Sequence, residues 1–433
     1  MNCLPDLKMR FASITSLLLL LAATSNSWAD VVVLRNATVH TQGARGTLQG
    51  ASVVITDGRI TAIGVDVATP AGATVIDAAG KIITPGLFGG IGAVGIVEVS
   101  QEAPTSDGAL RLGKMYPEFD VSLAYNPDAS NVGVARADGV AFAVLAPSAR
   151  AGMGARPSGS IVAGLGSVVS LAEPMARLPG ALFVDLGGDA SGLAGGSRAG
   201  EFMLLKRALN EARMPPAIRA RDVGEDTLLT AAGRETLAAF LKQKKPFVFA
   251  VDRTADIRQL IAFVKREGIR AYIQGGAEAW RLADELKQAG IPVILNPFDD
   301  LPSDFDQLAA TLQSAARLHA AGVTIAFSLD DAEPHRIRRI RQAAGIAVAN
   351  GLPYAAAMAA ITNVPAQLFG VSNDFGAIEI GRAANLVLWN GDPFEVTTLP
   401  ERMWLGGKPQ SLRSRQTELR DRYMQLNKAA GAR

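Results

Sequence analysis

Asp330, Asp331, Glu333 and His335 place three carboxyl groups and one imidazole within six residues, just after the apolar run Thr324–Ser328. A histidine among carboxylates is a candidate general acid or base, because neighbouring negative charge favours its protonated form. Asp330 and His335 are the catalytic candidates on this reasoning. The same residues suit a plainer arrangement, with Asp331 and Glu333 capping the next helix and His335 packing near Arg336. Arg253 offers a planar fork able to grip a carboxylate with two parallel bonds, unless Asp252 or Asp256 takes it first. The glycine-rich stretch 187–200 ends in Ser197-Arg198 ahead of a helix-forming run. Free N–H groups at a helix start plus a guanidinium make an anion site; alternatively, Ser197 is an ordinary N-cap. Arg253, Ser197 and Arg198 are therefore the ligand-binding candidates, with Asn296, Asp299 and Asp300 as further polar groups.

What is scarce matters as much. The chain of 433 residues has three histidines, His40, His319 and His335, and one cysteine, Cys3. Such a set offers no His/Cys cluster, so neither a metal nor another cofactor is expected. The short Gly164-Leu165-Gly166 is too little for a nucleotide fingerprint. A formal net charge of +2 gives no argument for nucleic acid as a partner.

The elements that must position these residues follow from patterning. Residues 31–83 read as short strands, with Asp57-Gly58 between alternating apolar residues as a hairpin turn. Apolar runs near 91–97, 140–146, 161–169, 181–186, 247–251, 271–274, 292–296 and 324–328 then alternate with helical segments at 199–213, 256–267, 279–289 and 305–320. Eight short runs buried on both faces predict a (β/α)8 TIM-type barrel. Its working face lies at the strand C-termini, where the candidates above fall. After helices at 337–349 and 355–362, strands return at 377–380, 386–389 and 402–405. They are too few to bury a face alone, so they should join the N-terminal strands in a composite β-sandwich domain. The expected organisation is a leader (1–29), β-domain (30–84), barrel (85–371), β-domain (372–410) and a C-terminal helix and tail (411–433).

Several motifs carry a family likeness. "GRITAIG" (58–64), "DAAGKIITPGL" (77–87), "ANGLPYAAAMAAITNVPAQLFGV" (349–371) and "GAIEIGRAANLVLWNGDPFEV" (376–396) resemble the amidohydrolase superfamily, especially its imidazolonepropionase-like and prolidase-like branch. The likeness covers most of the chain after the leader. It implies a metal-dependent hydrolase of non-peptide C–N bonds. Carried over residue by residue, the His-x-His positions of the first strand hold Ile91 and Ala93. The fifth-strand segment reads Ala250-Val251-Asp252, and the sixth-strand histidine is Gly275, followed by Gly276-Ala277-Glu278. The fourth strand, which often supplies a bridging Lys or Glu, offers Asp185. Only the eighth-strand acid of the pattern is kept, as Asp330. The resemblance thus implies a scaffold whose metal site is degenerate. Three readings stay open: a metal-free or atypical hydrolase using Asp330 with His335 or Arg253, a small-molecule-binding protein, or a non-catalytic subunit that partners an active relative; a homo-oligomer or such a pairing is the partner expectation.

The first residues carry Lys8 and Arg10, then the apolar run 11–24 and Ser27-Trp28-Ala29, the layout of a secretory signal. A periplasmic or secreted protein is expected, free of the membrane once cleaved. Edman sequencing of the protein recovered outside the cytoplasm should start at Asp30; recovery of the full-length chain from membranes would overturn this.

Overall fold

The computed structural model describes residues 31–431 other than 111, 113, 152–157, 178–179, 216–226 and 330–332. The expected signal segment, Asp330 and Asp331 lie outside the described residues. Among these, no helix is long and apolar enough to cross a membrane.

Strands Val31–His40, Thr47–Thr56, Arg59–Gly64, Thr74–Asp77 and Ile82–Pro85 join Leu386–Trp389, Pro400–Leu405 and Lys408–Pro409 in one connected sheet. The Asp57-Gly58 turn joins Thr47–Thr56 to Arg59–Gly64 with φ of 48° and 80°, the positive pair that suits the twist of paired strands. Ile82–Pro85 pairs antiparallel with Leu386–Trp389, which ties the two ends of the chain together. Leu34, Val53, Ile55, Ile83, Leu386, Leu388 and Trp404 form a core belonging to this sheet. The strand expected at 377–380 is not one: there Ile378 reaches the N-terminal segment through a single bond, its N–H donating to Thr41 O.

The second sheet is the barrel. Its strands are β1 (Leu87–Gly92), β2 (Val140–Leu145), β3 (Val162–Ser170), β4 (Ala181–Asp185), β5 (Phe247–Val251), β6 (Ala271–Gly275), β7 (Val293–Leu295) and β8 (Ile325–Phe327), neighbours in that order. The seam between β8 and β1 is closed by Ser328, whose Oγ accepts from Ile91 N (2.9 Å) and donates to Ile91 O (3.2 Å). The longer helices are α1 (Ser130–Ala137), α2 (Arg198–Arg213), α3 (Ala231–Gln243), α4 (Thr254–Glu267), α5 (Ala283–Ala289), α6 (Ser314–Ala320), α7 (Ile340–Ala349), α8 (Tyr354–Ala360), α9 (Asn363–Leu368) and α10 (Arg415–Gly431).

Two departures from the sequence-based expectation affect the site. First, β3 runs antiparallel to both β2 and β4, while the other pairs are parallel. A strand buried on both faces carries no mark of its direction in sequence, so alternation alone could not show the reversal. In consequence the start of β3, not its end, lies at the barrel mouth, with Val162 opposite Val184. Second, the helix expected over 305–320 begins only at Ser314. Residues 297–313 are a loop held by side chains: Asp306 binds α2's first residue and Ala309 N–H donates to Glu278.

Candidate functional site at the barrel mouth

The loops after β4, β5, β6 and β7 meet at the mouth and are bound together by carboxylates. Arg253 holds Asp256 through two bonds, Nε to Oδ2 at 3.0 Å and Nη2 to Oδ1 at 2.7 Å. Asp256 also faces Arg198 Nε at 3.2 Å, and Arg198 Nη2 pairs with Asp306 Oδ1 at 2.5 Å. The structure therefore unites Arg253 and Arg198 around Asp256. Each guanidinium is engaged by a carboxylate, which is the alternative weighed for Arg253 and which removes the open cation that an anion site requires. Ser197 occupies the N-cap position of α2, yet its side chain makes no cap bond.

Glu278 acts as a clasp. Its Oε2 accepts from Thr254 N (2.9 Å) and Oγ1 (2.7 Å), and its Oε1 accepts from Ala309 N (3.0 Å). Burial works to raise its pKa, but these bonds hold it below the usual carboxylate value. Asp252, at the end of β5, accepts from Ala277 N (3.0 Å) and Gln307 Nε2 (3.1 Å). Burial raises its pKa against those bonds.

Two more acids are held near neutrality. Asp299 accepts from Asn296 Nδ2 at 2.7 Å and is pushed up to about 7 by burial and by the charge of Asp252. Glu201 on α2 is 1% exposed, with Oε2 accepting from Gly187 N at 3.0 Å and Oε1 without a hydrogen-bond partner. Burial, with Asp256 and Asp306 nearby, raises it to about 7 although the Gly187 N–H pulls the other way. Two clefts open here. One, of about 400 Å³, is lined by Asp185, Arg198, Ala250, Asp252, Phe305 and Asp306 among others. The other, of about 470 Å³, lies over Asn296, Asp299, Leu301 and Gln307.

His335 is in a 3-10 turn, Pro334–Arg339, with a 46% exposed side chain and Nδ1 3.7 Å from Glu333 Oε2. Glu333 in turn accepts from Ser100 Oγ at 2.6 Å. Sequence reasoning missed Phe305, Asp306 and Gln307 because 305–320 reads as one helix, and it passed over Asp304 just before it and Glu201 within the helical run 199–213. The signal available was an aromatic between two aspartates, a poor pattern for a helix face.

At the positions where the resemblance implies ligands, Ile91 is buried in the core and bonded to Ser328, and Ala250 floors the first cleft. Gly275 has φ of +83°, and a Cβ there would lie 2.7 Å from Asp252 Oδ1. Among the described residues no group of three or more His, Cys, Asp or Glu is placed to hold a metal ion.

Comparison with known proteins places this architecture. An amidohydrolase from Thermotoga maritima MSB8 superposes with a TM-score of 0.77 at 23% identity, over 88% of this chain and 100% of that one. A prolidase complexed with N-methylphosphonate-L-proline gives 0.51 at 15% identity, over 88% and 99%. These likenesses show the fold. The sequence model of the amidohydrolase family matches residues 222–413, which take in β5 to β8 and the returning sheet strands. Over those residues the chain is similar to the amidohydrolase family, and it shares the fold of that family's solved members. A 60-residue stretch is also 40% identical to amidohydrolase tasK of Hapsidospora irregularis; it covers 14% of this chain and only 6% of that relative's length. Within the superfamily barrel, the array above occupies the strand C-terminal face, where its enzymes keep their chemistry.

Proposed function

We propose that this chain is an exported, metal-free member of the superfamily, and that it binds a small organic cation at the barrel mouth instead of hydrolysing C–N bonds with a metal. The observation that carries the reading is Gly275. The place a ligand side chain would leave from is filled by the Asp252 carboxylate, and the backbone there is in the left-handed region that favours glycine. Ile91, Ala93 and Ala250 supply no lone pairs, so the donor set does not fit a catalytic zinc, which needs about three protein ligands.

The ligand class follows from the first cleft. Its lining carries Asp252 and Asp304 in addition to the Asp306 that pairs with Arg198. Phe305, 85% exposed, stands in the same lining and offers an aromatic face to a cation. Ala250, Val251 and Leu186 favour an apolar body on the ligand.

A second reading, docking of a partner chain, is favoured by Leu301, Phe305 and Leu308, exposed by 79%, 85% and 65% on one loop.

Elemental analysis after dialysis against a weak chelator, with calorimetry using phenethylamine, tests the proposal. The expected result is no stoichiometric metal and saturable amine binding that Asp252→Asn weakens about tenfold or more. About one metal per chain, or equal binding of phenylacetate, would overturn it. A Phe305→Ala variant that binds amine normally but loses a dimer on light scattering would instead support the docking reading.

A further inference from the structure

A cleft wider than either of those at the mouth lies elsewhere. It lies on the outer wall, where α4 and α5 diverge beneath β6, and measures about 640 Å³. Its origin is local. α4 stops at Gly268 and α5 at Gly290, with φ of +68° and +65°, so both chains turn inward side by side. The two ends are closed by their own backbone, Ile269 N–H donating to Val264 O and Ile291 N–H to Leu286 O. Between them Val264, Ile291 and Pro292 are buried and Ile261, Ile269 and Leu368 half-buried, forming an apolar floor.

The rim is charged and unbalanced. The Arg270 guanidinium lies 5.3 Å from the Tyr272 ring centroid, and the Tyr272 hydroxyl donates to Leu368 O at 2.9 Å. Neither Arg270 nor Lys265 forms an ion pair with a carboxylate among the described residues. The acid in the lining, Glu285, is paired with Arg258 at 3.2 Å. One Arg270 N–H is turned to the Tyr272 hydroxyl, and the guanidinium's other N–H groups are left for an anion.

We propose that this groove is a second binding site, taking a small amphiphile with an aliphatic body on the Ile261–Ile291–Leu368 floor and one carboxylate against Arg270 and Lys265. The charge of the rim selects the head, and the apolar floor selects the body. The proposal does not depend on the mouth, whose lining is acidic.

Calorimetry on the whole protein with dodecanoate, below its micelle concentration, tests it against dodecanol and dodecyltrimethylammonium. Dodecanoate should bind saturably at about one per chain and more tightly than either analogue. Arg270→Gln should weaken it about tenfold, and Arg270→Lys should restore part of the loss. Ile261→Asp should abolish it while the circular dichroism spectrum stays native. Equal affinity for the alcohol, preference for the cation, no saturable binding, or binding unchanged in both Arg270→Gln and Ile261→Asp would each overturn the proposal. Light scattering that shows two chains joined through the groove, with dodecanoate excluded, would overturn it as well.

Discussion

Replacing Gly275 with histidine should destabilise the protein by about 2–5 kcal/mol and still recruit no metal. A non-glycine residue in the left-handed region costs roughly 1–2 kcal/mol. The new Cβ would fall 2.7 Å from Asp252 Oδ1, so the carboxylate must leave its bonds to Ala277 N and Gln307. Stranding a buried acceptor costs about 1–3 kcal/mol more. Gly275→Ala separates the contributions, because it carries the same backbone strain and clash without an imidazole. Urea denaturation checks the stability and elemental analysis the metal. A histidine variant as stable as the parent, holding about one zinc per chain, would show that the metal site lies only one substitution away and would remove the basis of the proposed function.

Glu201→Gln should have the opposite sign, and only at one end of the pH scale. The Glu201 carboxyl titrates near 7 in the folded protein and near its ordinary 4.5 when unfolded. Between those values the folded state holds a proton that the unfolded chain has released, so stability falls as pH rises. The penalty is absent below 4.5 and complete above 7. Glutamine imitates the protonated acid and still accepts from Gly187 N. The variant should therefore be more stable by about 1–3 kcal/mol at pH 8 and unchanged at pH 4.5. Asp299 titrates near 7 for related reasons, so a slope of the same sign should survive in the variant. A stability gain that is equal at both pH values would mean that packing, not charge, governs this position.

The parts legible in sequence were those set by local chemistry. Asp57-Gly58 specifies its turn within two residues, and Gly268 stops α4 where the helical period ends. The barrel was legible because eight apolar runs alternate with amphipathic ones. Other features depend on partners far along the chain. Arg198 meets Asp306 across 108 positions, and no spacing rule encodes that pairing. The same contact anchors the loop 297–313 ahead of α6, which begins only at Ser314. Residues with ionisable groups could be singled out one by one, but whether Arg253 meets a ligand or Asp256 is decided by geometry.

The reversed β3 bears on how the barrel assembles. A parallel pair must wait for a crossover to form, and the entropy of closing that longer loop precedes the reward of pairing. β2, β3 and β4 instead form an antiparallel meander, each strand beside its neighbour in sequence. This stretch lowers the local contact order of an otherwise non-local fold. It can pair before the remaining strands arrive and serve as a template on which β5, and then β6 to β8, add one edge at a time.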